Sequence, residues 1–544
     1  MKNIYLLFSL IVLVGISSQL KAQEMFLTSI APMSELIESI PEDLKTKPMG
    51  GYTNIFADNL MTSLKPGVTV ADIEGMKNSY FRELANTLYR GGYSLDFRKG
   101  EFFPYMTRNQ MQEKYLVSAY NLYENATGIY FPIGKHVVIV DGLPEGKTVN
   151  LAIPHYEGGS SASGDWGLKS KSYQLKNGVN VVNITGWAGI GYISYFTSDW
   201  ETAKSIKMHF PYAVVQGYFD ITKHKNKDFV KLLENANAYS FFDVIGERIH
   251  LTYTVEAYRN YTKGKAEELV ARYDTIMAWE QRSLGWDKYL EIPKNRVHCR
   301  ANQSYFMYKD NTGASFEHST MSYIANPDRL YNDFWGAVHE IGHIHQYKFN
   351  NWTGLGEVSV NYPNLMFEHN VIKPTSYRVD VAKGYNAIVK KNISSVTVPF
   401  LDYTAEKYNG GVDANFGRLC AFAQLYYYFD EIGKDFFPDI NEALRNTTES
   451  TSGWGPAQYE LHYIRTACDV TKLNLIPFFE KWGMLYYTDQ DGRASFTVGD
   501  YSNATYKLEK SKVDALKDEI KTKGYPAPAV DITLVKANGG RITP

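Results

Sequence analysis

The sequence predicts a multidomain α+β protein in which a small antiparallel β-sandwich is followed by a mainly helical domain. Three observations lead to this prediction. The chain has 544 residues, which is more than one ordinary domain holds. Short runs rich in Val, Ile and Tyr, separated by Gly, Asn and Asp turns, occupy residues 126–204. From residue 205 onward, apolar residues recur with helical spacing.

The composition is that of a folded globular protein that does not bind nucleic acid. Hydrophobic residues make up 44% of the chain and charged residues 21%, which is ordinary globular usage and excludes disorder. The net charge is −2 and no long basic run occurs, so we expect no nucleic-acid partner. The 42 Tyr residues suit sugar or peptide contacts, although most aromatic side chains belong in the core.

Residues 1–22 have the pattern of a signal peptide. Lys2 supplies positive charge, the segment from Ile4 to Ile16 is almost wholly apolar, and Ala22 is a small residue suited to cleavage. The alternative is a membrane anchor, but the apolar run is shorter than the roughly 20 residues that span a bilayer. We therefore expect no transmembrane anchor and a secreted, periplasmic or cell-surface location.

The three cysteines exclude two kinds of site. Cys299, Cys420 and Cys468 form no Cys-x-x-Cys pair. A cysteine-based zinc site and a thiol redox centre are therefore excluded, and at most one disulfide bond forms.

Changes of pattern predict the domain limits. Residues 23–125 are predicted to be a mainly helical N-terminal region, and residues 126–204 the β-sandwich. Residues 205–495 form the largest unit, with helices expected at 265–284, 332–349 and 416–430. Residues 496–544 add one Lys/Glu-rich helix and a Pro-rich tail.

The chemistry lies in a His-Glu-x-x-His motif within the predicted helix 332–349. His339 and His343 are four residues apart, so both imidazoles lie on one helical face and can bind one ion. Glu340 lies about 100° further round the helix, where it can reach a metal-bound water without binding the metal. Gly342 costs about 1 kcal/mol relative to Ala in a helix, which predicts close approach by another element.

Zinc in a hydrolytic site needs a third protein ligand and keeps a fourth position for water. The metzincin pattern requires Gly and His where this chain has Gln346 and Phe349, so that class is rejected. Glu357 is the favoured ligand because it follows a turn that returns the chain antiparallel to the motif helix. Glu368 and His345 remain alternatives. Four residues after Glu357, Asn361 is placed to hydrogen-bond a ligand imidazole.

The motif and its surroundings resemble the enhancin-like zinc metallopeptidases, a family that includes viral enhancins and bacterial mucin-degrading enzymes. The matching segments are His339-Glu-Ile-Gly-His343-Ile-His-Gln346, Trp352 and Gly356-Glu357-Val-Ser-Val-Asn361. Weaker likeness to the family's β-sandwich occurs in Thr127-Gly-Ile-Tyr-Phe-Pro132 and Gly189-Ile-Gly-Tyr-Ile193, so the resemblance covers roughly residues 125–490. Pro363 departs from the uninterrupted helix expected after the glutamate.

The resemblance implies that His339, His343 and Glu357 bind zinc and that Glu340 is the catalytic carboxylate. Residues 205–495 would then be a zincin-like metallopeptidase domain with one zinc per chain. The resemblance also implies a substrate class of O-glycosylated, mucin-like proteins.

Two other functions compete with the peptidase. One is a noncatalytic glycan-binding surface protein with a structural zinc, in which Trp166, Trp187 and Tyr192 would be sugar platforms. A structural site needs no general base, so the presence of Glu340 favours the enzyme. A glycosidase is the weaker alternative, because nothing singles out one carboxylate pair among 59 acidic residues.

Overall fold

A computed structural model describes residues 33–117, 120–158, 167–395, 397–487, 493–499 and 503–544. The predicted signal peptide, residues 1–22, lies outside the described residues. In the described part of the chain, no helix is long and apolar enough to cross a membrane.

Two antiparallel sheets form the first β region. Its strands are β1 (Lys99–Phe102), β2 (Asn125–Phe131), β3 (Gly134–Asp141), β4 (Val149–Pro154), β5 (Ser170–Leu175), β6 (Gly178–Ile184), β7 (Gly189–Ser194), β8 (Ile206–His209) and β9 (Val214–Val215). One sheet has the order β1-β8-β3-β6 and the other β5-β4-β7-β2-β9. Apolar side chains from both sheets, such as Val138 and Leu151, form one buried cluster. The alternation of inward apolar residues along each strand explains this packing.

A six-stranded mixed sheet lies in the region that carries the motif. Its strands are β10 (Phe219–Asp220), β11 (Phe241–Ile245), β12 (Ile249–Thr254), β13 (Val297–Asn302), β14 (Met307–Asp310) and β15 (Gly313–Glu317). The order β10-β11-β12-β13-β15-β14 leaves β14 at an edge, antiparallel to β15. A separate hairpin joins β16 (Arg493–Gly499) to β17 (Asn503–Glu509).

Helices surround the six-stranded sheet and build the rest of the core. The α-helices are Glu42–Lys45, Val70–Glu74, Ser79–Arg90, Arg108–Tyr115, Asn226–Asn235, Val255–Ala257, Ala266–Ser283, Trp286–Tyr289, Met321–Ile324, Phe334–Gly342, Tyr362–Phe367, Val381–Gly384, Lys390–Ile393, Ala405–Tyr408, Ala414–Glu431, Phe436–Arg445, Pro456–Thr471, Ile476–Lys481 and Lys510–Thr522. The 3₁₀-helices are Pro48–Gly51, His318–Thr320, Ser359–Asn361, Phe400–Asp402, Ile532–Leu534 and Ala537–Gly539, and the π-helices are Tyr258–Thr262, Glu368–Ile372 and Tyr385–Val389.

The predicted mixture of α-helices and β-strands is confirmed. The helix that carries the motif is shorter than predicted, and its hydrogen bonds show why. This motif helix, Phe334–Gly342, is shorter than the predicted 332–349. After Gly342 the α-helical hydrogen bonds give way to 3₁₀-type bonds, in which each amide donates to the carbonyl three residues earlier. The Ile344 amide donates to the Ile341 carbonyl at 2.9 Å and the His345 amide to the Gly342 carbonyl at 3.0 Å.

Two strands depart from the predicted domain limits. β1 lies inside the N-terminal region predicted to be mainly helical, yet it pairs with β8 in the four-stranded sheet. The β16–β17 hairpin crosses the predicted boundary at residue 495, where only a helix and a tail were expected. The other predicted limits stay predictions.

A buried polar junction joins the five-stranded sheet to the six-stranded sheet. Asp243 on β11 accepts hydrogen bonds from Tyr192 on β7 at 2.8 Å and from Thr252 on β12 at 2.7 Å. His250 donates a third bond to the same carboxylate at 3.0 Å. Because a buried carboxylate is costly without donors, these contacts hold the two sheets in one relative position.

The buried carboxyl group of Glu460 makes the packing of the β16–β17 hairpin dependent on pH. Its carboxylate is buried and accepts hydrogen bonds from the Leu485 amide at 3.0 Å and the Tyr506 hydroxyl at 2.8 Å. Burial raises its pKa from 4.5 to about 7, against the opposing effect of these two bonds. The stability that this group contributes is therefore complete below pH 4.5 and is lost as the pH rises through 7.

We therefore compare the free energy of unfolding of the parent with that of Glu460→Gln at each pH. Between about pH 4 and pH 8, the parent should lose up to about 3 kcal/mol relative to the variant. Urea unfolding of both proteins across this range measures the difference. Glu509→Gln, which changes an exposed carboxylate on β17, is the control and should follow the parent. An unchanged difference between parent and Glu460→Gln would contradict the prediction.

Candidate metal centre

Three predicted side chains meet at the end of the motif helix. The ligand atoms of His339, His343 and Glu357 all lie within 4.8 Å of one another. Nε2 of His339 is 3.0 Å from Oε2 of Glu357, and Nε2 of His343 is 3.7 Å from Oε1. The i, i+4 spacing on the helix places both imidazoles on one face, and the returning chain brings the carboxylate to them. Two nitrogens and one oxygen at this separation suit a single divalent ion.

Asn361 orients the first histidine. Nδ1 of His339 donates a hydrogen bond to Oδ1 of Asn361 at 3.0 Å, the contact expected from the sequence. Asn361 in turn donates to the Glu357 carbonyl at 2.9 Å and accepts from Asn364 at 2.9 Å. Because Nδ1 carries the hydrogen, Nε2 of His339 presents its lone pair to the centre.

Gln346 orients the second histidine, a role that the sequence reasoning missed. Nδ1 of His343 donates to Oε1 of Gln346 at 2.9 Å. The Gln346 amide then donates to the Gly356 carbonyl at 2.8 Å and to the Ser359 hydroxyl at 2.7 Å. Its position three residues after His343 was the available signal, since residues at i and i+3 are neighbours on a helical turn.

The predicted close approach at Gly342 is present. A Cβ atom at Gly342 would lie 2.4 Å from the carbonyl oxygen of Val360. Val360 belongs to the 3₁₀-helix Ser359–Asn361, which leads into the α-helix Tyr362–Phe367. Pro363 stands in the first turn of that α-helix, where its missing N–H is tolerated, so it does not disturb the approach of Glu357.

Glu340 lies beside the centre, where it is 8% exposed. Burial raises its pKa to about 7, and the Glu357 carboxylate acts in the same direction, while His339 opposes both. A carboxylate with a pKa near neutrality can take a proton and release it again. This arrangement suits a general base better than a fourth ligand.

The three ligand candidates influence each other's charge. Burial lowers the pKa of His343, and the neighbouring His339 adds to that effect. Burial also opposes protonation of His339, yet the Glu357 contact, the charge of Glu340 and the hydrogen bond to Asn361 together raise its pKa. Burial acts to raise the pKa of Glu357, but the hydrogen bond with His339 and the charges of His343 and His339 together outweigh it, and the net shift is downward. Glu357 thus stays ionised, which is the form that binds a metal.

Neither of the two alternative third ligands belongs to the cluster of ligand atoms in the described part of the chain. His345 is buried, donates from Nδ1 to the Ile341 carbonyl at 3.1 Å and accepts from the Tyr120 hydroxyl at 2.9 Å. Glu368 accepts a hydrogen bond from the Arg378 amide at 2.8 Å. In the described part of the chain, neither joins a group of side chains arranged to hold an ion.

Two clefts of about 780 Å³ each open on either side of the centre, and both are lined by Met307, His339, Glu340 and Glu357. On the Trp335 side, the Arg378 guanidinium lies 5.0 Å from the centre of the Trp335 ring and 5.8 Å from that of Phe416. On the His343 side, the lining includes Tyr305, Lys309 and Asn351. A chain that crosses the centre can therefore contact both clefts.

The sandwich aromatics do not form open sugar platforms where they are described. Tyr192 is fully buried in the polar junction. The Trp187 ring stacks on His155 at 4.8 Å and has the Lys171 ammonium 4.5 Å from its centre. Trp166 lies outside the described residues. Tyr192 thus takes the core role, and Trp187 is covered by its neighbours.

The contact at Gly342 generates a stability prediction. A methyl group in Gly342→Ala would meet the Val360 carbonyl, so we expect a loss of about 1–2 kcal/mol in the free energy of unfolding despite the better helix propensity. The separation of Val360 from the helix also moves Glu357, so the affinity for zinc should fall. Urea unfolding and competition with a metal chelator measure the two effects.

Gly411→Ala is the matched control, because nothing lies within 4 Å of the position of its added methyl group. It should leave both quantities unchanged. A Gly342→Ala protein as stable as the parent would show that the close approach does not constrain the centre.

Comparison with known proteins identifies the family. Among solved structures, a metallopeptidase from Bacteroides thetaiotaomicron has a TM-score of 0.77 at 21% identity, with 90% of this chain and 82% of the other covered. A metallopeptidase in complex with Tn antigen has a TM-score of 0.69 at 21% identity, covering 81% and 80%. The M60 catalytic domain of ZmpC from Clostridium perfringens, in complex with the sialyl T antigen, has a TM-score of 0.61 at 17% identity, covering 80% and 82%.

At these identities the structural neighbours show that the fold is shared. No match is found among curated proteins. Residues 213–483, which include the whole metal centre, match the family described as Peptidase M60, enhancin and enhancin-like. The chain belongs to this family of enhancin and enhancin-like peptidases.

Proposed function

We propose that this protein is a zinc-dependent endopeptidase in which His339, His343 and Glu357 hold the ion and Glu340 is the general base. The observation that carries this proposal is the convergence of the three ligand atoms within 4.8 Å beside the buried Glu340 carboxylate. The donor set of two imidazoles and one carboxylate fits zinc, and it leaves a fourth position for water.

When bound, zinc supplies a Lewis acid that lowers the pKa of its water to about 7. Glu340 would accept a proton from the attacking water and donate it to the amine nitrogen that leaves as the peptide C–N bond breaks. Asn361 and Gln346 fix the two imidazole rings, so the ligand nitrogens keep their direction through the reaction.

We propose that the substrates are O-glycosylated, mucin-like proteins. The Trp335 side of the centre is lined by charged and polar side chains that can hydrogen-bond the hydroxyl groups of a sugar, and the half-buried Phe416 ring lies beside them. The aromatic and polar side chains that line this side include Trp335, Phe416, Arg378, Asp413 and Asn415. The structural neighbours crystallised with Tn antigen and with sialyl T antigen support the same substrate class.

The competing function is a glycan-binding surface protein with a structural zinc. A structural zinc site is closed by four protein ligands and has no use for a carboxylate of raised pKa beside it. Glu340 is therefore the residue that separates the two functions, and the covered Trp187 and the buried Tyr192 favour the peptidase.

We also propose that residues 1–22 direct export of the protein and are then removed by cleavage after Ala22. The support is the charged and apolar pattern of residues 1–22. The mass of the protein purified from its native location decides this point, because a chain that begins at or near Gln23 is expected and an intact Met1 would contradict it.

Two variants separate catalysis from metal binding. Glu340→Gln keeps the size of the side chain but cannot take the proton, so zinc content and stability should persist while hydrolysis falls about 10²–10⁴-fold. Glu357→Ala removes a ligand, so zinc content and activity should fall together. Elemental analysis and mass spectrometry of the peptides released from an intact mucin-type glycoprotein measure these outcomes.

The same digestion with the deglycosylated protein tests the substrate class, and we expect it to be cleaved more slowly. A Glu340→Gln protein as active as the parent would overturn the mechanism. If the parent and both variants bind glycoprotein but none cleaves it, the glycan-binding alternative replaces the peptidase.

A further inference from the structure

The two clefts beside the metal centre carry opposite charge. Apart from His339, His343, Glu340 and Glu357, the described lining of the Trp335 side has one guanidinium, Arg378, and three carboxyl groups, Asp333, Glu368 and Asp413. On the His343 side, the described lining outside those same four residues has one charged side chain, the ammonium of Lys309. Outside the residues that both clefts share, a negatively charged substrate group therefore meets mainly carboxyl groups on the first side and an ammonium group on the second.

Strand β14 aims Lys309 at the cleft. Side chains alternate along this edge strand, with Tyr308 and Asp310 buried and Met307 and Lys309 half-buried. Tyr308 and Asp310 contact Arg300 at 3.1 and 2.6 Å, and Tyr308 also lines the cleft.

Met307 shows which way the other face points. Its sulfur would lie 2.6 Å from a Cβ atom at Gly336, so it packs against the motif helix. Lys309, two residues further on, projects on the same face toward His343. Lys309 and His343 line the same cleft.

We propose that Lys309 binds a carboxylate group of the substrate in the cleft on the His343 side, and so determines substrate specificity. This inference rests on the proposed peptidase function. The half-buried position strengthens the attraction, because a partly desolvated ammonium is less screened by water than one at the surface. Two substrate groups supply this chemistry: the side chain of an Asp or Glu near the scissile bond, and the carboxylate of a sialic acid on the attached glycan.

Matched glycopeptides distinguish the two sources. The first set consists of pairs of O-N-acetylgalactosaminyl peptides. The two members of each pair carry Glu or Gln at one position near the glycosylated residue, and each such position has its own pair. A second pair keeps Gln and differs by the presence of a terminal sialic acid. We expect the parent to cleave the carboxylate-bearing member of one pair about tenfold faster by kcat/KM, the size of one charge-assisted hydrogen bond.

Lys309→Ala should bring that ratio close to one, mainly by raising KM for the acidic substrate. Lys309→Arg retains the charge and should restore most of the preference. Lys348→Ala, which removes an exposed lysine from the segment after the motif, is the matched control and should behave as the parent. Urea unfolding of each variant excludes a folding defect as the cause.

Equal cleavage of both members of every pair by the parent, or a preference that survives in Lys309→Ala, would overturn the inference and leave the peptidase function intact. If the parent cleaves no glycopeptide, the proposed function fails and the inference is still decided by binding. In that case the same glycopeptides are titrated against zinc-loaded Glu340→Gln with and without Lys309→Ala. A preference in Kd that depends on Lys309 supports carboxylate recognition, and its absence refutes it.

Discussion

The metal centre depends on the close approach of two backbone segments at Gly342 and Val360. A glutamate fourteen residues beyond His343 reaches the histidines only if the returning chain lies against the motif helix, and any side chain at Gly342 would hold that chain away. Backbone contact brings Glu357 within 3.0 Å of His339 and also places Asn361 and Ser359 beside the histidines or their partners. The ligands and the residues that orient them therefore share one structural cause.

Burial then gives each ionisable group in the centre its role. The same low-polarity surroundings raise the pKa of Glu340 and lower that of His343, since burial disfavours the charged form of either group. Glu357 keeps its charge because His339 lies directly against it. Two carboxylates in one site thus differ in charge because their neighbours differ, which suits them to the proposed roles of metal ligand and proton acceptor.

The local parts of this site could be predicted from the sequence, and the parts that depend on distant pairing could not. The spacing of His339 and His343 gives their common face, and Gly342 predicts an approaching segment because glycine is otherwise unfavourable in a helix. The exclusion of His345 required its actual neighbours, Tyr120 and the Ile341 carbonyl. The position of Lys309 depends on the strand order that puts β14 at an edge, and the pairing of β1 with β8 joins segments about a hundred residues apart. Hydrophobic periodicity predicts neither the edge position of β14 nor the pairing of β1 with β8.

The buried junction around Asp243 means that the sandwich is not an exchangeable module. Exchangeable domains are joined by flexible linkers, and few contacts cross the boundary between them. Here Tyr192, from the five-stranded sheet, donates a hydrogen bond to a carboxylate in the sheet that carries the edge strand of the cleft. Removal of the sandwich would leave that carboxylate short of a donor and expose the apolar surface around it. Shortened versions of this protein therefore have to retain both sheets of the first β region, including β1, together with the candidate metal centre.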